Sequence, residues 1–327
     1  MALTWKRLGK IFDPLTYEWD QNFVGYAQSP QTLVLEDRVR VYFATRLRDQ
    51  PNKYVSHIRY VDFDLELTRV LDYSRHEVIS PAVEGAFDEH GVFPLNVLKL
   101  GERILGYSNG WSRRKSVSVE TGIGLLESND RGKTFTRFGT GPVLSATQHE
   151  PFLVGDPFVA TVNGKLHMWY IFGQSWKKDS VTGIQERTYK IADAESTDGV
   201  NWKKLNRRLI KDRLGDDECQ ALPTVLHFDG KYHMFFSYRE AFGFRGSRES
   251  AYRIGYASSK DLNHWARDDE YGGLPRPSEG WDSQMMCYPH VFRVGDNVHL
   301  LYNGNEFGRY GFGLASLTRE YPGRLDA

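Results

Sequence analysis

The feature that most constrains this chain is a hairpin written five times. The segments SPQTLVLEDRVRVYFATR (29–46), FPLNVLKLGERILGYSNGW (93–111), DPFVATVNGKLHMWYIFG (156–173), LPTVLHFDGKYHMFFSYR (222–239) and YPHVFRVGDNVHLLYNG (288–304) share one plan. Each has a proline, an alternating apolar run, a turn carrying Gly or Asp, and a second apolar run, which is the pattern of a β-hairpin. The prolines stand at 30, 94, 157, 223 and 289, at spacings of 64, 63, 66 and 66 residues. A period held this evenly points to a repeat architecture.

A third strand, a turn and usually a fourth strand opening on an aromatic follow each hairpin. These pieces read HIRYVDFD (57–64), GIGLLESNDRGKTFTRF (122–138), YKIADAESTDGVNWKKL (189–205), RIGYASSKDLNHWARD (253–268) and YGFGLASL (310–317). Ser128, Asp130, Gly132 and Phe135 fit the Asp-box pattern S-x-D-x-G-x-x-F/W. Ser196, Asp198, Gly199 and Trp202 form a shorter version, and Asp261, Leu262 and Trp265 another. The carboxylate caps turn amides, glycine supplies positive φ, and the aromatic packs between layers.

Four antiparallel strands repeated five times predict an all-β fold, a five-bladed β-propeller with four-stranded blades, spanning residues 1–327 as one domain. A β-sandwich or two small barrels fit the period and the displaced terminal strand less well. Leu317 is followed by no fourth strand, whereas Trp5-Lys6-Arg7-Leu8 resembles Trp202-Lys203-Lys204-Leu205 and Phe135-Thr136-Arg137-Phe138. Residues 4–12 are therefore expected to complete the fifth blade and close the ring, removing an exposed sheet edge.

Composition enters as a set of exclusions. Lys plus Arg and Asp plus Glu are both 42, which argues against a general nucleic-acid binder. A charged share of 26% and a hydrophobic share of 40% exclude a disordered chain. No apolar stretch reaches membrane-spanning length, and MALTWKRLGKIF has no secretory h-region. With only Cys219 and Cys287, neither a disulfide framework nor a zinc site is expected, and the cytoplasm is the expected compartment. No metal or cofactor is implied, and the oligomeric state is not readable.

In a propeller the first strand of each blade lines the axis, and its start neighbours the end of the second strand. Residues before the repeat prolines and after the second strands are thus expected at one mouth of the channel. The first set carries Gln28, Asp88, Glu89, His90, Asp156, Asp217, Glu218 and Asp282, with His290 just past its proline. The second carries Arg46, Trp111, Trp176 and Arg239. Aromatic faces stack on pyranose rings, and amides or guanidinium groups bond hydroxyls and anions. Gln28, Arg46, His90, Trp111, Trp176, Arg239, Asp282 and His290 are accordingly candidate substrate-binding residues. Several carboxylates around one axis suit glycoside chemistry, in which one group protonates the leaving oxygen and another acts as base or nucleophile.

At these residues the chain resembles the five-bladed propeller superfamily of glycoside hydrolases, including families 32, 43 and 130, and also propeller proteins encoded among bacterial surface-polysaccharide genes. In families 32 and 43 three acids open consecutive blades in the order Asp, Asp, Glu. Phe87-Asp88-Glu89, Gly155-Asp156-Pro157 and Glu218-Cys219 follow that order here. The resemblance implies Asp88 as base or nucleophile, Asp156 as orienting acid and Glu218 as general acid. One departure matters, because those families place the first acid on the first blade, where this chain has Ala27-Gln28-Ser29-Pro30. Either the triad is displaced by one blade, or the first acid has been lost and the protein is not a hydrolase. The leading expectation is an enzyme that cleaves or transfers a glycosidic bond with this triad. The alternatives are a non-catalytic glycan-binding or assembly propeller, and a phosphorylase with Arg46 or Arg239 holding phosphate.

Overall fold

The computed structural model describes residues 2–19, 22–51 and 53–318. Strand β1 (Trp5–Phe12) comes first, and four complete blades follow it. Blade 1 contains β2 (Gln28–Val34), β3 (Val39–Gln50), β4 (Lys53–Phe63) and β5 (Val70–Tyr73). Blade 2 contains β6 (Val92–Leu100), β7 (Arg103–Arg113), β8 (Val119–Ser128) and β9 (Thr136–Arg137). Blade 3 contains β10 (Val154–Val162), β11 (Lys165–Lys178), β12 (Gln185–Ser196) and β13 (Lys203–Lys204). Blade 4 contains β14 (Cys219–Phe228), β15 (Lys231–Arg239), β16 (Arg253–Ser259) and β17 (Ala266–Arg267). Blade 5 contains β18 (Cys287–Val294), β19 (Asn297–Asn303) and β20 (Phe312–Leu317), and β1 joins it as the outermost strand.

The chain is thus a five-bladed propeller of four-stranded antiparallel sheets. Closure occurs as the displaced strand predicts, with Trp5 opposite Leu317 and Phe12 opposite Phe312. The turn chemistry is also as read. Asp130 accepts the amides of Lys133 and Thr134, each at 3.0 Å, and Asp198 those of Val200 and Asn201, each at 2.8 Å. Gly132 and Gly199 supply φ of +77° and +78°. Their carbonyls accept the hydroxyls of Tyr42 and Tyr107 on the preceding blades, at 2.7 and 2.9 Å. The box aromatics meet the same tyrosines edge-on, Phe135 against Tyr42 and Trp202 against Tyr107. Trp5 meets Phe235 in the same way, so β1 supplies the missing inter-blade wedge.

Each inner strand presents one unpaired edge to the axis, and a buried unpaired amide is costly. Side chains of the adjacent blade satisfy several of these amides. Asn96 Oδ1 accepts from Val159 N (2.9 Å), Asp156 Oδ2 from Leu222 N (3.1 Å), Thr224 Oγ1 from Val291 N (3.2 Å) and His290 Nε2 from Thr32 N (3.1 Å). Asn96 Nδ2 donates to Gln31 Oε1 at 3.2 Å and links the remaining pair of blades. The polar lining of the channel is therefore first a strap around the ring.

Candidate functional site

Every inner strand is interrupted at its proline by a β-bulge, as the register shifts at Gln28/Gln31, Val92/Leu95, Gly155/Phe158, Ala221/Thr224 and Cys287/His290 show. In four blades the residue before the proline has positive φ, namely Ser29 (+52°), Asp156 (+52°), Leu222 (+47°) and Tyr288 (+56°), and in the fifth the Phe93–Pro94 bond is cis. A bulge re-aims the side chain that carries it. Phe93, Asp156 and Tyr288 accordingly line a deep pocket of about 70 Å³ on the axis. That pocket shares Phe93, Asn109, Thr121 and Arg187 with an outer cavity of about 300 Å³. Gln28, Arg46, Tyr54 and Trp111 complete the outer wall, so all five blades contribute to one axial depression.

Asp156 is the carboxylate of this depression. It is 6% exposed, and burial pushes its pKa up to about 7 against the opposing effects of the Leu222 amide and the Arg187 charge. It thus exchanges its proton near neutrality, as a general acid or base must. Two guanidinium groups share the depression with it. Arg46 donates from Nε to Gln28 Oε1 at 3.1 Å and stacks on Tyr26, with 4.2 Å to the ring centroid. Arg187 donates to Ser118 Oγ at 3.3 Å and lies over Trp176. Among the described residues neither has a carboxylate within ion-pairing distance. Asn109 Oδ1 is buried in the wall without a hydrogen-bond partner. The site therefore offers one proton donor, two open cationic forks and an open acceptor.

Trp111 forms an aromatic wall fixed from behind. Its Nε1–H donates to Ser56 Oγ at 2.7 Å, and the ring of His90 packs against it at 5.6 Å. His90 is thus a support of the wall, and burial, with the Arg113 charge second, holds its pKa below the ordinary value. Trp176 likewise backs Arg187 without lining the cavity itself.

The expected triad does not assemble. Asp88 bonds Arg137 through Nη2 at 2.7 Å and Nε at 2.8 Å, beneath blade 2. A Cβ on Gly110 would lie 2.4 Å from the Asp88 Cβ, which shows how closely that loop folds under the sheet. Glu218 bonds Arg267 at 2.6 Å and accepts the amides of Arg213 and Leu214 at 2.8 and 3.0 Å. Asp282, expected to bind substrate, faces Arg7 at 3.3 Å and the Tyr302 hydroxyl at 3.0 Å. Glu150, not singled out from sequence, faces Lys204 at 2.5 Å and Tyr170.

These four acids serve one architectural purpose. Their partners Arg7, Arg137, Lys204 and Arg267 each stand two residues after the aromatic of a fourth strand, at Trp5, Phe135, Trp202 and Trp265. The acid before a blade's first strand reaches outward to that blade's last strand and ties its outer edge down. The recurrence of aromatic-x-Arg/Lys was the sequence signal for this, since buried acids require partners.

Two further expectations are corrected. Arg239 is 1% exposed, stacked on Phe244, and donates to Tyr189 Oη at 2.9 Å and to the carbonyls of Glu240 and Ala241. It positions the Tyr189–Tyr252 hydroxyl pair, joined at 2.5 Å, in the wall of the deep pocket and does not itself line that pocket. His290 is strapped to Thr32 and stacked on Phe292, and burial lowers its pKa to about 3. Conversely, Arg187 lies outside the repeated segments, because the third strand of blade 3 begins at Gln185, earlier than the repeat suggests. Among the described residues no three His, Cys, Asp or Glu side chains group as metal ligands, and both cysteines are buried and unbridged. No helix among them is long and apolar enough to cross a membrane.

Comparisons with known proteins agree with this geometry at the level of fold. No family model matches the chain. The β-1,2-mannobiose phosphorylase of Listeria innocua superposes with a TM-score of 0.69 at 13% identity, covering 97% of each chain. A GH130 protein, from a family of mannoside phosphorylases that contains glycoside hydrolases targeting β-1,2 mannosidic linkages, gives 0.72 at 12% identity, covering 100% of this chain and 97% of that one. A thermostable family-43 glycoside hydrolase gives 0.63 at 16% identity, covering 90% and 89%. In sequence, the proteins MT1551 and Rv1502 from two strains of Mycobacterium tuberculosis, both described as uncharacterized, are each 32% identical over 318 residues, 96% of this chain and 99% of theirs. With that identity held over almost the whole length, the chain belongs to the family of MT1551 and Rv1502, and its fold is the five-bladed propeller of the glycoside hydrolases and phosphorylases.

Proposed function

We propose that this protein is a carbohydrate-active enzyme that breaks a glycosidic bond in the axial depression, with Asp156 as general acid and phosphate as the attacking group. The observation that carries this reading is one axial carboxylate, pushed up to about 7, sharing a cavity with two guanidinium groups that have no carboxylate partners. Hydrolysis by two carboxylates needs a second acid to activate water or to attack the sugar. The blade-1 position that would supply it is Gln28, and Asp88 and Glu218 are committed to Arg137 and Arg267. Phosphate needs no such base, because it is already a nucleophile. Paired guanidinium forks suit its geometry.

In this mechanism the sugar stacks on Trp111 and bonds Asn109 and Gln28. Phosphate, held by Arg46 and Arg187, attacks the anomeric carbon as the glycosidic C–O bond breaks. Asp156 passes its proton to the departing oxygen and is reprotonated from solvent. The products are a glycosyl phosphate and a shortened glycan. Trp176 and His90 act as positioning residues behind Arg187 and Trp111.

The test runs the reaction backwards. A panel of glycosyl 1-phosphates is offered with sugar acceptors, and released phosphate is measured for the wild type, Asp156→Asn and Arg187→Gln. Turnover by the wild type, lowered about 10²- to 10⁴-fold by Asp156→Asn, supports the reading. Glycan cleavage in phosphate-free buffer at the same rate as with phosphate overturns it. Saturable sugar binding with no turnover in either direction would instead make the protein a glycan-binding propeller.

A further inference from the structure

A second cavity lies on the mouth-facing side of blade 4, away from the axis. It measures about 490 Å³ and is bounded by the loop between β15 and β16, the start of β16 and the segment that leads from β17 into blade 5. Arg248, Arg253 and Arg276 line it from those three elements, and Arg213 lines its far wall together with Asp269 and Glu270. The floor is apolar and aromatic, built from Tyr238, Ile254 and Leu274.

The charge arrangement is unusual for a structural cluster. Arg213 is neutralised by Asp269 at 3.2 Å and Glu270 at 3.1 Å. The other three arginines have no carboxylate within ion-pairing distance, and they bond backbone carbonyls instead. Arg248 donates to Ser283 O (2.9 Å) and Pro277 O (3.2 Å), Arg276 to Gln284 O (2.9 Å) and Arg248 O, and Arg253 to Glu249 O. Those carbonyls fix the forks without cancelling their charge. The exposed Glu249 carboxylate, held low by its own backbone amide, by the Ser247 hydroxyl and then by Arg248 and Arg276, offsets that charge only in part. Burial, and then repulsion from Arg253 and Arg248, depress the Arg276 pKa to about 10. Three like charges held together by backbone are a cost that a polyvalent anion would remove.

We infer that this cavity is a binding site for a ligand bearing a diphosphate group, distinct from the axial site. A diphosphate presents several acceptor oxygens to planar guanidinium donors and carries enough charge to balance three of them. The apolar floor beneath the forks suits an organic body attached to that group, and the volume falls within the range of small-molecule sites. The inference does not depend on the chemistry proposed for Asp156.

The experiment is calorimetric titration of the full chain with inorganic pyrophosphate, orthophosphate and adenosine diphosphate. In Arg46→Gln, which disables the axial phosphate site, pyrophosphate is expected to bind one-to-one and more tightly than orthophosphate. Tighter binding of adenosine diphosphate would mark the ligand as an organic diphosphate, and equal binding would mark it as the inorganic ion. Arg253→Gln and Arg276→Gln should each weaken binding about tenfold, the loss of one charge-assisted contact. The binding that persists in Arg46→Gln is that of this cavity, and the other substitutions are read in that background. Glu270→Gln should strengthen it, because it releases Arg213 from one of its two carboxylates, and a misfolded variant cannot mimic a gain. The inference is overturned if neither diphosphate binds in the millimolar range. It is equally overturned if binding is lost in Arg46→Gln but kept in Arg253→Gln, which would move the anion to the axis.

Discussion

At the scale of single residues, the decisive contrast is between Asp156 and the four acids, Asp88, Glu150, Glu218 and Asp282, that tie down the outer edges of their blades. Asp156 occupies a bulge position at φ +52° and turns into the channel, where burial dominates its proton affinity. The folded pKa, raised from 3.8 to about 7, means the native state holds a proton that the unfolded chain has lost. Stability is therefore greatest below about pH 4 as far as this group is concerned, and it falls as pH rises to about 7, by on the order of 4 kcal/mol. Asp156→Asn should flatten that dependence. Its melting temperature is expected to exceed the wild type's at pH 8 and to match it more closely at pH 5, as thermal denaturation at both values would show. Activity that requires protonated Asp156 should decline above pH 7 in the wild type, a limb that a pH–rate profile resolves. The buried carboxylate is thus held at the expense of stability.

At the scale of elements, the acid before each blade and the basic residue of its last strand form one device. Glu218 is fully buried and Arg267 nearly so, so removing one partner leaves an uncompensated charge inside. Arg267→Leu is expected to destabilise by about 3 kcal/mol, and Glu218→Gln with Arg267→Leu together by less than the sum of the two. Urea denaturation of the two singles and the double checks this. Equal losses of activity and stability in Glu218→Gln are the expected pattern. A Glu218→Gln variant that keeps full stability yet loses turnover would return Glu218 to the chemistry. The Asp-box hairpins work similarly through neighbours, since Tyr42 and Tyr107 bond the turn carbonyls of the following blade. Each blade is thereby finished by the next one.

At the scale of the molecule, the ring closes through β1 and β20, and the Trp5–Phe235 contact seals blade 5 against blade 4. Deleting residues 2–12 would bare the outer edge of β20 and remove Arg7 from Asp282. Open edges template association between chains. The truncated protein is expected to elute as aggregates in size-exclusion chromatography, while Trp5→Ala, which keeps the strand, should remain dispersed and lose about 2 kcal/mol. Closure also creates the axial depression, because its wall takes residues from five blades separated by the whole length of the chain.

The five blades, the Asp-box turns and the closing role of residues 4–12 were all legible in the sequence, because each is a local pattern repeated at a fixed period. Proline spacing counts blades, and an aromatic at a fixed offset marks the strand that packs between them. Position in the repeat also placed Gln28, Arg46, Trp111 and Asp156 at the mouth. The direction of a carboxylate was not legible. Asp156 directly precedes its proline, whereas Asp88 and Glu218 stand six and five residues before theirs, and the bulge at the proline turns Asp156 to the axis while loops fold Asp88 and Glu218 outward to Arg137 and Arg267. The partners of Asp88 and Glu218 lie 49 residues away along the chain, so the choice between an axial acid and a tied-down one belongs to the packed blade. Arg187 shows the same limit from the other side, reaching the cavity because β11 and β12 run longer than the repeat requires. Local periodicity fixed the architecture. Which charges meet and which stay open was decided only when distant strands came together and left some guanidinium groups without partners.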